Sequence, residues 1–250
     1  MGDMRNSAGR SITVDIPDNY PSYTDSPDDV RFTEWCQALS QPDWTAAVEH
    51  RFTEQLHEGT IDDAVFRRYL VQDYAFVESL VGTFGHALGE ASSMKAKGRL
   101  GTFIDTLTAD ENDYFERSLD ALDVPESDRR EPDLMPATRA FEDLLERVAR
   151  EGGYAETLAV LVPAEWIYRA WAGVDAEPPE QFYLAEWIGL HNNPGFNEFV
   201  EWIRTELDRE GAAAASDRQQ RLARHFHRTV ELEIAFFDAA YTAKRDDQTW

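Results

Sequence analysis

The sequence predicts an all-α protein folded as a single domain. Three observations carry this. From Val30 onward apolar residues recur at steps of three and four, no useful stretch alternates with the period of a strand, and the breaks between periodic segments are short. At 250 residues the chain can bury one sizeable core. Its 42% hydrophobic and 12% aromatic content is too apolar for a disordered chain.

The elements follow in order. Residues 1–27, rich in Ser, Asp, Pro and Gly, read as a flexible or surface-draped N-terminal arm, and 28–250 as the helical domain. Phe32, Trp35 and Leu39 mark a first helix stopping near Gln41-Pro42, and a second runs from Trp44 to Leu56, ending at Gly59. Thr60 reads as the N-cap of a long helix reaching Gly89 or Ala91, with Asp62 and Asp63 in its first turn. Gly82, Gly85 and Gly89 on that helix predict close contact with a neighbouring helix. A further helix covers Met94–Leu122, and the Pro-containing stretch Val124–Met135 reads as a loop. Helices follow at Pro136–Arg150, Tyr154–Ala172 (bent at Pro163), Pro179–Leu190, Pro194–Arg209 and Ala214–Lys244. Gly152-Gly153, Pro178-Pro179, Asn193-Pro194 and Gly211 separate them.

Charge excludes several classes of function. The net charge is −24, with 48 acidic against 24 basic residues, and a surface of that sign repels nucleic acid and anionic membranes. The acids are dispersed and only Lys95, Lys97 and Lys244 are lysines, a pattern like that of proteins from salt-adapted organisms. No apolar run is long enough to span a bilayer, and Met1–Tyr23 has no apolar segment of a secretory signal. With Cys36 as the one cysteine, there is no internal disulfide and no zinc site built on several cysteines. A cytoplasmic protein is expected.

Chemistry is sought where an apolar stripe contains an acid, because burying a carboxylate without a partner costs several kcal/mol. Asp73 interrupts Phe66, Leu70, Val77 and Leu80. Glu165 interrupts Leu158, Leu161, Tyr168 and Ala172. Glu233 interrupts Phe226, Val230, Phe237 and Ala240. Any one of these could be an acid paired with an arginine or a backbone amide. Three on separate helices, among Phe, Tyr and Trp, point instead to a pocket for a flat, nitrogen-rich, partly cationic ring. Burial there raises a carboxyl's pKa and suits it to acid–base work. Histidines form no convincing metal centre. Glu54 and His57 sit at a helix end, His86 and Glu90 are an isolated pair, and His225 and His227 lie on opposite sides of one helix.

Four segments then carry a resemblance. Phe66-Arg-Arg-Tyr-Leu-Val-Gln-Asp-Tyr74, Tyr154 to Tyr168, Tyr183-Leu-Ala-Glu-Trp-Ile188 and Glu233-Ile-Ala-Phe-Phe-Asp-Ala-Ala-Tyr241 resemble, in order and spacing, the TenA/thiaminase II family over about residues 30–245. The resemblance implies a haem-oxygenase-like helical bundle without haem, often a homotetramer, acting without a cofactor on small pyrimidines in thiamin salvage. It implies Asp73 as the pyrimidine-binding acid, Glu233 as the catalytic glutamate and Tyr168 as a tyrosine of the site. Phe76, Phe141 and His191 fall where many members carry tyrosines. The nucleophilic cysteine of many members is replaced by Ala164, beside Glu165, as in the cysteine-lacking branch. Ala164 cannot add to a ring, so covalent cleavage of thiamin has no nucleophile there.

Hydrolysis of aminopyrimidines by carboxylate acid–base chemistry is the reading adopted. Asp73 and Tyr168 would bind the ring, Glu233 would protonate the leaving amine or activate water, and Glu165 would be the second acid or base. Phe76, Phe141, Trp166 and His191 would complete the binding walls. Two rivals remain open: a non-catalytic pyrimidine-binding or regulatory protein, and a metal-dependent oxidase using His86, Glu90 and His225.

Overall fold

The computed structural model describes residues 19, 20 and 30–242, which contain helices and no strand. The helices are α1 (Phe32–Leu39), α2 (Asp43–Val48), α3 (Arg51–His57), α4 (Asp63–Glu90), α5 (Met94–Thr106), α6 (Asn112–Ala121) and α7 (Glu126–Arg130). They continue with α8 (Pro136–Glu151), α9 (Tyr154–Ala172), α10 (Phe182–His191), α11 (Pro194–Ala213) and α12 (Ser216–Ala240). A π-turn, Leu107–Glu111, joins α5 to α6. Apart from Asn19 and Tyr20, the predicted N-terminal arm lies outside the described residues. The Tyr20 hydroxyl donates to the Val30 carbonyl at 2.6 Å and its ring packs on Phe32 and Trp35. Among the described residues no helix is long and apolar enough to cross a membrane.

Helix α9 is the axis of the bundle. Ala155–Glu165 is buried without interruption, as expected of a helix that is apolar on all sides. It packs most extensively against α12, then α11 and α4, while α4 lies against α8 and α5. The N-termini are capped by side chains that accept from otherwise unpaired amides: Asp62 from Ala64, Ser93 from Ala96 and Asn193 from Phe196. The cap of α4 is thus Asp62 and not Thr60. Gln72 holds the start of α8 to α4. Its Oε1 accepts from the Met135 amide and the Thr138 hydroxyl, each at 2.7 Å.

Several boundaries differ from expectation. The predicted Trp44–Leu56 helix divides into α2 and α3 because His50 is extended and its ring nitrogen caps the Phe52 amide. The loop after Val124 contains the one-turn α7, and α10 begins at Phe182, after a Pro178-Pro179 segment with no regular secondary structure. Gly211 does not end a helix. It lies inside α11, where a Cβ would come within 2.2 Å of the Phe32 ring. Gly82, Gly85 and Gly89 are not contact points within this chain, since nothing lies within 4 Å of where their Cβ atoms would be.

Candidate active site

Three helices and the π-turn each deliver one carboxyl to a common chamber. Asp73 comes from α4, Glu165 from α9, Glu233 from α12 and Glu111 from the π-turn. Phe76, Ala164, Tyr168, Trp187 and His191 complete the walls, with Val77, Leu80 and Leu107. The acids are almost fully buried: 4% exposed for Asp73, 6% for Glu165, 2% for Glu233 and 8% for Glu111. Asp73 and Gln72 are neighbours in sequence with different duties. A step of about 100° round the helix turns Gln72 to the start of α8 and Asp73 to the chamber.

Among the described residues no cation offsets these charges. Burial pushes Asp73 up to about 7, held back by the nearby Tyr69 hydroxyl. Burial and the neighbouring Asp73 charge push Glu165 up to about 8. Glu233 and Glu111 are raised well above the carboxylate range, by burial first and then by Asp73 and Glu165. Like charges in a dry enclosure cannot all ionise, so near neutral pH the chamber holds carboxylic acids that can donate protons. One Asp73 oxygen, Oδ2, is buried with no hydrogen-bond partner. Such an atom is costly unless a ligand satisfies it.

Glu156 shows what the structural alternative looks like. It is as buried as Asp73 and lies on the same helix as Glu165. It accepts two hydrogen bonds from Arg218, at 2.7 and 3.0 Å. Burial alone would raise its pKa, but Arg218 and Arg221 bring it below the usual carboxylate value. Among the described residues the four chamber acids have no such arginine, and that separates them from a buried ion pair.

Hydroxyl and imidazole groups line the same space. The Tyr168 and Tyr69 hydroxyls lie 2.7 Å apart. His191 Nδ1 lies 2.9 Å from the Trp187 carbonyl. A carbonyl only accepts, so Nδ1 carries the ring proton and Nε2 is left as an acceptor. Burial pushes His191 down to about 4, partly offset by that hydrogen bond, so the ring is neutral near pH 7.

Of the residues expected at the site, Asp73, Glu165, Glu233, Tyr168, Phe76 and His191 meet in the chamber. Phe141 and Trp166 do not line it. Phe141 packs behind Phe76, ring centres 4.6 Å apart. Trp166 faces the other side of α9, 4.6 Å from Trp44 and beneath the Arg204 guanidinium at 3.6 Å. Its helix position carries it away from Glu165 by about 100°. His86 and Glu90 are exposed, and His57 bonds the Trp171 carbonyl at 2.8 Å. Among the described residues, one group of three could bring metal-ligating atoms within 4.8 Å of one another. It is Asp43, His227 and Glu231, which are only partly buried and lie outside the chamber.

Sequence reasoning missed Glu111, which lies in none of the three apolar stripes read for buried acids. A signal existed. Phe103, Leu107, Glu111, Phe115 and Leu119 recur at steps of four and all are buried. A four-residue step overruns a regular turn by about 40°. The widened π-turn in mid-series helps keep these residues on one face.

The chamber is small, about 30 Å³, room for a water or two and well below the several hundred Å³ of most ligand pockets. A planar ring enters only as lining side chains move. Beyond Glu111 and His191, which line both spaces, opens a cavity of about 870 Å³ walled by Phe103, Phe196 and Phe199. Phe103 and Phe199 stack there at 3.6 Å.

Known proteins share this arrangement of helices. The chain is 22% identical over 209 residues to an aminopyrimidine aminohydrolase of Halalkalibacterium halodurans, covering 82% of this chain and 93% of that protein. The TenA homologue of P. horikoshii OT3 superposes with a TM-score of 0.75 at 22% identity, covering 85% of this chain and 99% of that one. A haem-oxygenase-like domain from Shewanella denitrificans OS217 superposes at 0.61 with 12% identity, covering 85% and 93%. The fold is therefore a haem-oxygenase-like helical bundle. The profile of the TENA/THI-4/PQQC family matches residues 38–243, most of the sequence, and the chain belongs to that family.

Proposed function

We propose that this protein is a hydrolase of aminopyrimidine compounds, cleaving the bond between a ring-attached carbon and an amine in the salvage of thiamin breakdown products. The observation that carries this is the convergence of four uncompensated carboxyls in one buried chamber. The likeness to the H. halodurans aminopyrimidine aminohydrolase supports it. Asp73, with its unpartnered Oδ2, accepts hydrogen bonds from the ring's amino group and a protonated ring nitrogen. Tyr168 contributes a further hydrogen bond, and Phe76 and Trp187 provide aromatic surface. Glu233 and Glu165 act as the acid–base pair that activates water and manages the proton balance.

The same reading assigns the chain to the cysteine-lacking branch. Ala164 lines the chamber, whereas Cys36 is fully buried on α1 and contributes nothing to the chamber wall. A cytosolic homotetramer working at high salt completes the proposal, supported by the acidic surface and the family resemblance.

The test is ammonia release from 4-amino-5-aminomethyl-2-methylpyrimidine at high salt. Turnover is expected, with a loss of about 100-fold or more in Glu233→Gln. Unchanged turnover in that variant removes Glu233 from the chemistry. Calorimetry showing tight pyrimidine binding without turnover would make the protein a binder instead.

A further inference from the structure

Two residues stand at the boundary between the chamber and the larger outer cavity: Glu111 and His191. Whatever leaves the ring must depart toward open volume, and the outer cavity is a large open volume adjoining the chamber. The group passing this boundary therefore meets one carboxyl and one imidazole. The imidazole cannot serve as the donor, because its only ring proton is committed to the Trp187 carbonyl. Glu111 is more than nine-tenths buried, with no hydrogen bond or ion pair among the described residues. It is carried on a π-turn, a rare distortion that recurs at functional sites. Asp110, the residue before it, is exposed and faces only the outer cavity.

Resting on the hydrolase reading above, we infer that Glu111 is the proton donor to the departing amine, and that the outer cavity is the amine's exit. The carbon–nitrogen bond breaks with its electron pair on nitrogen, which takes the Glu111 proton and leaves as the neutral amine. Water supplies the oxygen of the new carbon–oxygen bond and gives one proton to the chamber carboxylate left ionised beside the bound ring. Transfer of that proton back to Glu111 restores the starting state. The groups facing Glu111 from the chamber are Asp73 on α4, Glu165 and Tyr168 on α9, Glu233 on α12 and His191 on α10. On the outer side stand Lys95, Arg99, Asp110 and Glu198. Burial and the Asp73 and Glu165 charges raise the Glu111 carboxyl well above the usual carboxylate range, the direction a proton donor needs.

The experiment compares the wild type with Glu111→Gln on two compounds. One is 4-amino-5-aminomethyl-2-methylpyrimidine and the other is its anilinomethyl analogue, whose arylamine leaves with less help from a proton. With the aminomethyl compound, kcat is expected to fall about 100-fold or more, with KM little changed. The alkaline limb of the kcat profile should move, because glutamine has no proton to lose. The deficit should shrink several-fold with the anilino compound. A merely structural residue would not tie its deficit to the leaving group or move that limb. Wild-type kinetics in Glu111→Gln, equal deficits on both compounds, or an unmoved alkaline limb overturns the inference and leaves the hydrolase reading standing. If the wild type rejects the anilino compound, the alkaline limb decides alone. Should Glu111→Gln not fold, Glu111→Asp, which keeps the acid but shortens its reach, is read by the leaving-group comparison alone: a kcat deficit that shrinks with the anilino compound supports the inference, and equal deficits or none overturn it. Absence of turnover in the wild type overturns the hydrolase reading and this inference with it.

Discussion

Asp73 and Glu165 hold their protons in the folded chain at pH values where the unfolded chain has lost them. The sign of the consequence is fixed by linkage. Stability falls as pH rises from the ordinary carboxylate range toward about 7 for Asp73 and about 8 for Glu165, then levels off. Asp73→Asn and Glu165→Gln remove the ionisable group and with it this loss. Each variant is expected to be more stable than the wild type at pH 8, by an amount on the order of a few kcal/mol or less, and so to unfold at a higher temperature. The difference should vanish toward pH 4, and both variants should lose turnover. A thermal melt series between pH 4 and 9 checks it. A wild type that is the more stable protein at pH 8 would mean that these carboxyls are already compensated. Glu156 supplies the contrast on the same helix: its charge is held by Arg218, so breaking that pair is expected to destabilise.

Two glycines in helices α4 and α11 give opposite expectations at the scale of the element. Both helices would gain from alanine by roughly 0.5–1 kcal/mol in intrinsic propensity. At Gly85 the added Cβ meets open space, so Gly85→Ala should raise the unfolding temperature. At Gly211 the Cβ would lie 2.2–2.5 Å from three atoms of the Phe32 ring. Overpacking costs about 1–3 kcal/mol and outweighs the propensity gain. Gly211→Ala should therefore loosen α1 from α11, where Asp208 also accepts from Arg31 Nε at 2.6 Å and from the Thr33 amide at 2.8 Å. Paired denaturant unfolding of the two variants tests the prediction; equal shifts would show that Phe32 has room to move. Sequence alone gave these glycines the reverse roles. Gly85 reads as a contact point and Gly211 as a break between helices, and only the neighbouring helix decides which one is crowded.

Across the whole molecule, 24 uncompensated negative charges repel one another over a surface on which few of the cations are lysines. Salt shortens the reach of that repulsion, from about 10 Å at 0.1 M to about 3 Å at 1 M. The unfolding temperature is expected to rise between 0.1 and 2 M KCl, because relief of net repulsion outweighs the weakening of exposed ion pairs such as Arg117–Glu186 and Arg130–Glu126. A temperature that falls steadily across that range would show that the ion pairs dominate.

The helical class, the order of the long helices and three of the four chamber acids follow from periodicity alone. A stripe of apolar residues must face a core, and an acid inside the stripe must go there too. What periodicity cannot supply is the angle at which one helix meets another. That angle sends Trp166 to Trp44 and Arg204, tucks Phe141 behind Phe76, and gives Glu156 an arginine while leaving Glu165 without one. It also takes a distortion of the helix itself, the turn at Leu107–Glu111, to bring in the fourth acid. The pattern along the chain names the residues that must be buried. Only the packing of the helices decides which of them lie beside one another, because charge compensation and cavity walls come from neighbours distant in sequence.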